Sequence, residues 1–194
     1  MSLSDFSLEN KVALITGGTS GLGKMMALAL AKAGAFVWIV SSRDNADDTL
    51  KEIKQQGSNA CFVKADVTSS DALEEAVSKI LNQSNRIDIL VNAAGINLRT
   101  SAEELTMGEW QKTIDINLTA PFYLSQLVSE SMKNNKWGRI INIASLQSLR
   151  AFDNSIPYGA SKGGIMQLTR ALAQAYSKDG ILVNAIAPGF FRTN

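Results

Sequence analysis

A tyrosine and a lysine four residues apart, Tyr158 and Lys162, have the clearest capacity for acid–base chemistry in this sequence. They lie at the start of a helix-like run, 156–177, and residues four apart share one face of a helix. An ammonium beside a phenol favours the phenolate, which makes a weak acid a usable proton donor and acceptor near neutral pH. The same spacing also arises by chance on solvated helix faces, so the surrounding elements must decide between the two readings.

The composition removes several other kinds of chemistry. The 194 residues include no histidine and one cysteine, Cys61. Ser-His-Asp triads, Cys-His dyads and histidine-ligated zinc are therefore excluded, and we predict no metal site. Cys61 lies in an apolar run, which indicates a core residue and not a nucleophile, and a single cysteine cannot form an intrachain disulfide.

Charge and hydropathy argue against a nucleic-acid or membrane partner. The formal net charge is +1, which leaves no excess of basic residues for nucleic-acid phosphates. No apolar run reaches the length of a membrane span, and the N-terminus lacks the charged-then-apolar pattern of a signal peptide. A lone cysteine fits a reducing compartment. We expect a cytoplasmic location, with neither a nucleic acid nor a membrane as partner.

Short apolar runs alternate with helix-like runs along the chain, which predicts an α/β protein with a parallel, doubly wound sheet between two helical layers. The predicted strands are 11–16, 35–40, 60–65, 87–91, 138–144 and 181–186, and the predicted helices are 24–33, 45–56, 70–81, 107–133 and 156–177. No linker, low-complexity segment or shift in composition interrupts the pattern. We expect residues 1–194 to form a single domain of the Rossmann type.

The first predicted strand runs into a glycine-rich turn, Gly17-Gly18-Thr19-Ser20-Gly21-Leu22-Gly23, and then directly into a helix. This layout presents backbone N–H groups and a helix N-terminus to a pyrophosphate. Its spacing differs from G-x-G-x-x-G, and a plain tight turn is the alternative. The residues that we predict to bind a dinucleotide here are Gly17, Thr19, Ser20, Gly21, Leu22 and Gly23.

The end of the second predicted strand bears on the choice between NAD and NADP. An acidic side chain there would accept hydrogen bonds from the ribose 2′-hydroxyl, but the chain has Ser41, Ser42 and Arg43. Hydroxyls and a guanidinium suit a 2′-phosphate, so NADP is favoured over NAD. If the register shifts by a residue or two, Asp44 would take this position and favour NAD. The alternative is that Arg43 and Asp44 are solvated loop charges.

Further predicted cofactor contacts follow the third and fourth strands, because parallel strands end on one rim of a sheet and ligands bind at that rim. Asp66, followed by Val67, could hold the adenine amino group, or it could be a loop residue that starts the next turn. Small residues after the fourth strand leave room for a flat cofactor. We assign Asn92, Ala93 and Gly95 to it.

The long helix-like stretch 107–133 is apolar on more than one face, which indicates a second packing partner. We therefore expect a homo-oligomer, a dimer or a tetramer, through 107–133 and 156–177. Pro121 is expected to kink the stretch. Asn117 is embedded in it and must be hydrogen-bonded, since a buried amide without a partner is costly.

These motifs resemble those of the short-chain dehydrogenase/reductase family. Thr16-Gly17-x-x-x-Gly21-x-Gly23 is similar to its cofactor loop, and Tyr158-x-x-x-Lys162 to its catalytic pair. Asn92-Ala93-Ala94-Gly95 resembles its Asn-Asn-Ala-Gly motif, with Val91 in place of the first asparagine. Segment 188–193 is similar to the part that holds the nicotinamide, which implies cofactor contacts at Pro188, Gly189 and Thr193.

The resemblance implies an NAD(P)-dependent oxidoreductase that interconverts a secondary alcohol and a ketone by hydride transfer. Tyr158 would exchange a proton with the substrate oxygen, and Lys162 would support it and bind the ribose hydroxyls of the cofactor. Ser145, at the end of the fifth strand, would hydrogen-bond that oxygen, or would simply cap a turn. Asn117 matches the fourth catalytic position and would hold a water that links Lys162 to solvent.

The substrate is indicated by a narrower resemblance. Segments 6–10 and 92–99 are similar to those of gluconate-type sugar-acid dehydrogenases. The guanidinium of Arg99 could bind a carboxylate in a bidentate pair, or it could be a solvated loop charge. The residues assigned to the small-molecule alcohol or ketone are Arg99, Ser145, Gln147, Tyr158 and Phe190.

Two other functions compete with this one. A dinucleotide-binding regulatory or scaffold protein would keep the fold without turnover. A serine hydrolase based on Ser145 is rejected, because the chain has neither a histidine nor a Gly-x-Ser-x-Gly elbow. Family members continue past the sixth strand with a substrate-covering loop, a helix and a seventh strand. Either the natural chain is longer and its C-terminal part is missing here, or the protein is truncated; we favour the missing part, because an end just after the sixth strand would leave a buried edge exposed.

Overall fold

A six-stranded parallel sheet with helices on both faces forms the computed structural model, which describes residues 6–191. The strands are β1 Val12–Thr16, β2 Phe36–Ser41, β3 Ala60–Lys64, β4 Ile89–Asn92, β5 Gly138–Ile143 and β6 Ile181–Ile186. The helices are α1 Gly21–Lys32, α2 Asp47–Gln55, α3 Ser70–Ser84, α4 Met107–Ile114, α5 Ala120–Asn134 and α6 Ile156–Tyr176. The predicted doubly wound, Rossmann-like architecture is confirmed.

Two apolar clusters cover the two faces of the sheet. One packs α3, α5 and α6 against the sheet, and the other packs α1 and α2 against the opposite face. Every residue of β1 is buried, because this central strand is covered on both sides. Cys61 is half-buried and packs against the first cluster. The strands are continuously apolar because helices cover both faces of the sheet.

The strand order β3-β2-β1-β4-β5-β6 places β1 between β2 and β4. The chain runs outward from β1 in one direction through β2 and β3, and in the other through β4, β5 and β6. Such a reversal opens a crevice at the carboxyl ends of the central strands, which is where open α/β sheets bind ligands. The fold thus fixes where the site must lie.

The single helix predicted over 107–133 is wrong at its centre. A π-helical turn, Asp115–Thr119, separates α4 from α5 and contains Asn117. Pro121, in the first turn of α5, has no N–H to donate to the Asn117 carbonyl, which would be its partner in an α-helical register. Apolar spacing does not reveal such a turn, because the helix axis continues through it.

Apolar side chains remain exposed along this stretch. Met107 on α4 is 76% exposed and Phe122 on α5 is 44% exposed. Oligomerisation through these helices stays a prediction.

Candidate functional site

A cleft of about 480 Å³ lies at the carboxyl ends of β1, β2 and β4. It contains most of the residues that the sequence assigned to a dinucleotide. Those that line it are Gly17, Thr19, Ser20, Gly21, Leu22, Gly23, Ser41, Ser42, Arg43, Asp66, Val67, Ala93 and Gly95. One rim of the sheet therefore gathers side chains from four separate loops.

Two glycines of the loop after β1 are required by close backbone contacts. Gly17 has φ +69°, and a Cβ there would lie 2.9 Å from the Cα and the N of Ala94. A Cβ on Gly23 would collide with the carbonyl oxygen of Gly17. The N-cap of α1, Ser20, makes no side-chain capping bond, so the first N–H groups of the helix keep their capacity for an anion. These features fit the pyrophosphate of a dinucleotide.

Thr16, at the end of β1, joins the glycine loop to the segment after β4. Its Oγ1 accepts hydrogen bonds from the N–H groups of Ala93 and Ala94, both at 3.1 Å. The sequence placed Thr16 in a motif but gave it no role of its own. Its position at the end of a buried strand, next to a glycine turn, was the signal available for this role.

Arg43 is exposed and lines the part of the cleft that lies at the carboxyl end of β2. Ser41 beside it is nearly buried, and its Oγ accepts from the Arg43 N–H at 3.2 Å. Asp44 instead binds Lys64, with 2.7 Å between Oδ1 and Nζ, and this partner lowers the pKa of the Asp44 carboxyl. The acidic residue that could have opposed a phosphate is thus held by a cation on β3.

Asp66 and Asn92 differ in how they relate to the cleft. Asp66 lines it, and its Oδ1 also accepts from the N–H and the hydroxyl of Thr68, both at 2.9 Å. The side chain of Asn92 does not line it. Asn92 is 3% exposed, and its Nδ2 donates to Asn142 Oδ1 at 2.8 Å, across the β4–β5 pair. It was predicted to touch the cofactor, but the pleat directs its amide into the core.

A second cavity of about 270 Å³ adjoins this cleft, and Leu22 lines both. It brings together all five residues assigned to the substrate: Arg99, Ser145, Gln147, Tyr158 and Phe190. Pro188 and Gly189 line it as well, whereas Thr193 lies outside the described residues.

Sequence reasoning missed four residues that also line this cavity: Asn97, Leu146, Phe152 and Phe191. Phe152 packs edge to face on Phe190, with 6.0 Å between the ring centroids. Its position between β5 and α6 carried no pattern that predicted the contact. The lining of the cavity therefore combines aromatic rings with polar side chains.

Tyr158 and Lys162 lie on one side of α6, and the Lys162 Nζ is 5.6 Å from the centroid of the Tyr158 ring. Lys162 is 4% exposed, and its Nζ donates to the carbonyl oxygen of Ile143 at 2.5 Å. Burial lowers the pKa of Lys162 from 10.5 to about 8. The side chain therefore remains largely a cation at neutral pH, next to the phenol.

Ser145 caps a short 3₁₀ turn, Leu146–Ser148, at the end of β5. Its Oγ accepts from the N–H of Gln147 at 3.1 Å, and its own N–H donates to the Oγ of Ser148 at 3.2 Å. The capping alternative is therefore correct, and Ser145 lines the cavity beside Tyr158 as well. Because its Oγ already accepts one bond, the hydroxyl proton can be donated outward.

Asn117 ties the segment after β4 to α6. Its Oδ1 accepts from the N–H of Ile96 and its Nδ2 donates to the Ile96 carbonyl, both at 2.9 Å, and Nδ2 also donates to Ser161 Oγ at 3.1 Å. A Cβ on Gly95 would lie 3.3 Å from Asn117 Oδ1 and 3.8 Å from Lys162 Nζ. The Asn117 amide and the Lys162 ammonium therefore both lie near the main chain of Gly95.

Neither a metal-binding group nor a membrane span is found in residues 6–191. No cluster of three or more histidine, cysteine, aspartate or glutamate side chains could hold a metal ion in this part of the chain. None of its helices is both long and apolar enough to cross a bilayer.

Comparison with known proteins gives concordant matches over nearly the whole chain. The sequence model of the short chain dehydrogenase family matches residues 11–194. A 2-dehydro-3-deoxy-D-gluconate 5-dehydrogenase of Formosa agariphila is 39% identical, over all of this chain and 74% of its own length. A 5-keto-D-gluconate 5-reductase of Escherichia coli is also 39% identical, over 97% of this chain and 74% of its own.

A crystal structure from Beutenbergia cavernae shares the fold. It is described as a putative NAD(P)-dependent gluconate 5-dehydrogenase with NADP bound at low occupancy. It superposes with a TM-score of 0.92 at 37% identity, over 97% of this chain and 75% of that one.

Proposed function

The chain belongs to the short-chain dehydrogenase family, and from this premise we propose that Tyr158 exchanges the proton in its reaction and that a sugar acid is its substrate. Membership makes it an NAD(P)-dependent oxidoreductase of CH–OH groups. The observation that carries the proposal is the cavity beside the cofactor cleft, which holds Tyr158, Ser145 and Arg99 together.

The bound dinucleotide supplies or takes up the hydride, and the chain must hold and move the proton. In alcohol oxidation the Tyr158 phenolate takes the hydroxyl proton from the substrate, and in ketone reduction the phenol returns it. The buried Lys162 ammonium, with its Nζ 5.6 Å from the ring centroid, places a positive charge beside the group that exchanges the proton. Tyr158 can therefore work in both directions.

Ser145 positions the oxygen that reacts. Its Oγ is oriented by the N–H of Gln147, which leaves its hydroxyl proton for the substrate oxygen. A fixed donor at this point stabilises the negative charge that develops when a carbonyl is reduced. The two hydroxyls in the cavity wall, on Ser145 and Tyr158, would then hold one substrate oxygen between them.

Asn117 supports proton exchange through its main chain. Its side-chain amide is committed to Ile96 and Ser161, so the water predicted to link Lys162 to solvent needs another acceptor. The Asn117 carbonyl is a suitable acceptor, because Pro121 cannot supply its α-helical donor. The π-helical turn then serves to hold that water near Lys162.

NADP suits the adenosine end better than NAD. Arg43 makes no ion pair with any of residues 6–191, and it lines the cleft beside the hydroxyl of Ser42. Asp44, which would repel a 2′-phosphate, is paired with Lys64. A phosphate would therefore meet a guanidinium that forms no ion pair within the described residues, and the two can form a bidentate pair.

The other end of the site supports a sugar acid. Arg99 is exposed at the cavity and forms no ion pair within the described part of the chain. Asn97, Ser145 and Gln147 add polar groups that could bind the hydroxyls of a polyol. Two relatives are named for keto-gluconate substrates. A polyhydroxy carboxylate fits this combination of one cation and several hydrogen-bonding groups.

Replacing Tyr158 by phenylalanine tests the chemistry. Absorbance of the reduced nicotinamide is followed with sugar acids, polyols and ketones, with NAD and with NADP. We expect Tyr158→Phe to lower kcat by at least about 100-fold, since a positioned proton donor contributes on that scale. Cofactor affinity should change little, as measured by the fluorescence of the bound reduced cofactor. A wild-type protein that binds cofactor tightly and turns over none of the panel would favour the scaffold function.

Replacing Arg99 by alanine tests the substrate class. We expect Arg99→Ala to raise KM about tenfold or more for a carboxylate-bearing polyol, because charge-assisted hydrogen bonds are lost. KM for a neutral polyol should change little. Arg150→Ala is the matched control, since Arg150 is also exposed and does not line the cavity. Equal effects on both substrates would exclude the carboxylate clamp.

A further inference from the structure

We propose that Ser148 is a positioning residue that fixes Ser145 relative to the turn of α6 that carries Lys162. The inference rests on the function proposed above, in which Ser145 holds the substrate oxygen and Lys162 supports the proton exchange by Tyr158. Ser148 is not among the residues that the sequence assigned to catalysis, to the cofactor or to the substrate.

The hydroxyl of Ser148 joins the main chains of the two residues. It donates to the carbonyl oxygen of Lys162 at 2.7 Å and accepts from the N–H of Ser145 at 3.2 Å. A hydroxyl carries one proton and two lone pairs, so one oxygen can serve both partners at the same time. Ser145 is in this way connected to α6 through a single atom.

This connection is the sole hydrogen bond between the 145–148 turn and α6 within the described residues. Two glycines of the helix, Gly159 and Gly163, also lie close to the turn. Cβ atoms on Gly159 and Gly163 would lie 3.9 Å from the Gln147 carbonyl oxygen and 4.0 Å from that of Ser148. Van der Waals contacts are not directional, so they hold the turn at its distance from the helix but tolerate sliding.

The same region is attached a second time through the side chain of Lys162, which donates to the Ile143 carbonyl at 2.5 Å. That bond holds the end of β5, two residues before Ser145, but not the turn beyond it. Without the Ser148 hydroxyl, the N–H of Ser145 loses its acceptor. The turn is then bonded to the segment after β6, through the Leu146 N–H and the Pro188 carbonyl at 3.3 Å, but no longer to α6, along which it can shift. A shift of about 1 Å in a reacting group can lower the rate about 100-fold.

Three variants test the inference in the full chain. Ser148→Ala removes the hydroxyl, and Ser148→Thr keeps it. Ser58→Ala is the matched control, because Ser58 Oγ also donates to a helix carbonyl, that of Ala31 at 2.8 Å, away from the cavity. Each variant is measured for kcat and KM, for the Kd of the reduced cofactor and for Tm.

We expect Ser148→Ala to lower kcat about tenfold or more at unchanged cofactor Kd, through misplacement of Ser145. Ser148→Thr should restore kcat to near the wild-type value, and Ser58→Ala should retain it. If Ser148→Ala does not fold, Ser148→Cys replaces it with the same expectation, since a thiol is a weak donor.

A purely structural role gives a different pattern. Both alanine variants would then lower Tm while Ser148→Ala, or its cysteine substitute, keeps the wild-type kcat and substrate KM, and this overturns the inference alone. Failure of Ser148→Thr to restore an activity lost in Ser148→Ala overturns it too. A wild-type protein that transfers no hydride to any of the panel overturns both the inference and the proposed function.

Discussion

Replacing Lys162 by methionine should change how the stability of the protein depends on pH. Burial lowers the pKa of this lysine from 10.5 to about 8. Between these two values the unfolded chain still holds a proton that the folded protein has released. Wild-type stability therefore rises as the pH increases through this interval, and below it the folded protein bears the full cost of burying the ammonium.

The size of the effect follows from the pKa shift. At about 1.4 kcal/mol for each unit, the wild type should gain about 2 to 3 kcal/mol of unfolding free energy relative to Lys162→Met between pH 7 and pH 10. Urea unfolding followed by tryptophan fluorescence at each pH gives the two curves. Lys51→Met removes a positive charge at an exposed position of α2 and is the matched control.

Only the difference between wild type and variant carries the result, because other groups titrate in the same range. A difference that stays constant from pH 7 to pH 10 would refute the reasoning. The Lys162 ammonium would then be hydrated in the folded protein, and the burial that the structure gives it would be wrong.

Two further predictions concern the cofactor. Arg43→Ala should raise the Kd of NADP about tenfold or more and leave that of NAD nearly unchanged, because a charge-assisted pair with the 2′-phosphate is lost; an equal loss for both cofactors would contradict this. Gly23→Ala should lower Tm and weaken binding of both cofactors, since the new Cβ meets the Gly17 carbonyl oxygen and overpacking costs about 1 to 3 kcal/mol. Gly108→Ala, where the nearest atom would be 3.9 Å away, should retain cofactor binding, and both variants are measured by thermal unfolding and fluorescence titration.

Much of the architecture was predictable because its signals are local. A strand buried on both faces needs a continuous apolar run, and a pyrophosphate turn needs glycines at fixed places. The rim that collects Gly17, Arg43, Asp66 and Ser145 follows from parallel topology alone. Helix spacing alone likewise places Tyr158 and Lys162 on one side of α6, as the structure has them.

Asn92 and Asn117 show where local reasoning stops. Both were assigned from motif position, yet the amide of Asn92 binds Asn142 in the core, and that of Asn117 binds Ile96. Which way an amide points depends on partners about 50 and 21 residues distant in the chain, and no local pattern encodes them. The π-helical turn around Asn117 escaped prediction for a related reason, since apolar spacing is similar on both sides of it.

The sheet, the order of its loops along one rim and the residue types able to exchange a proton follow from the sequence alone. The tertiary structure decided which of those residues share a cavity, how deeply Lys162 is buried and how Ser148 is bonded to both Ser145 and Lys162. The two kinds of information differ in how far along the chain the underlying interactions reach. Propensity and periodicity act over a few residues, whereas burial and hydrogen-bond partners are set by segments that meet only after folding.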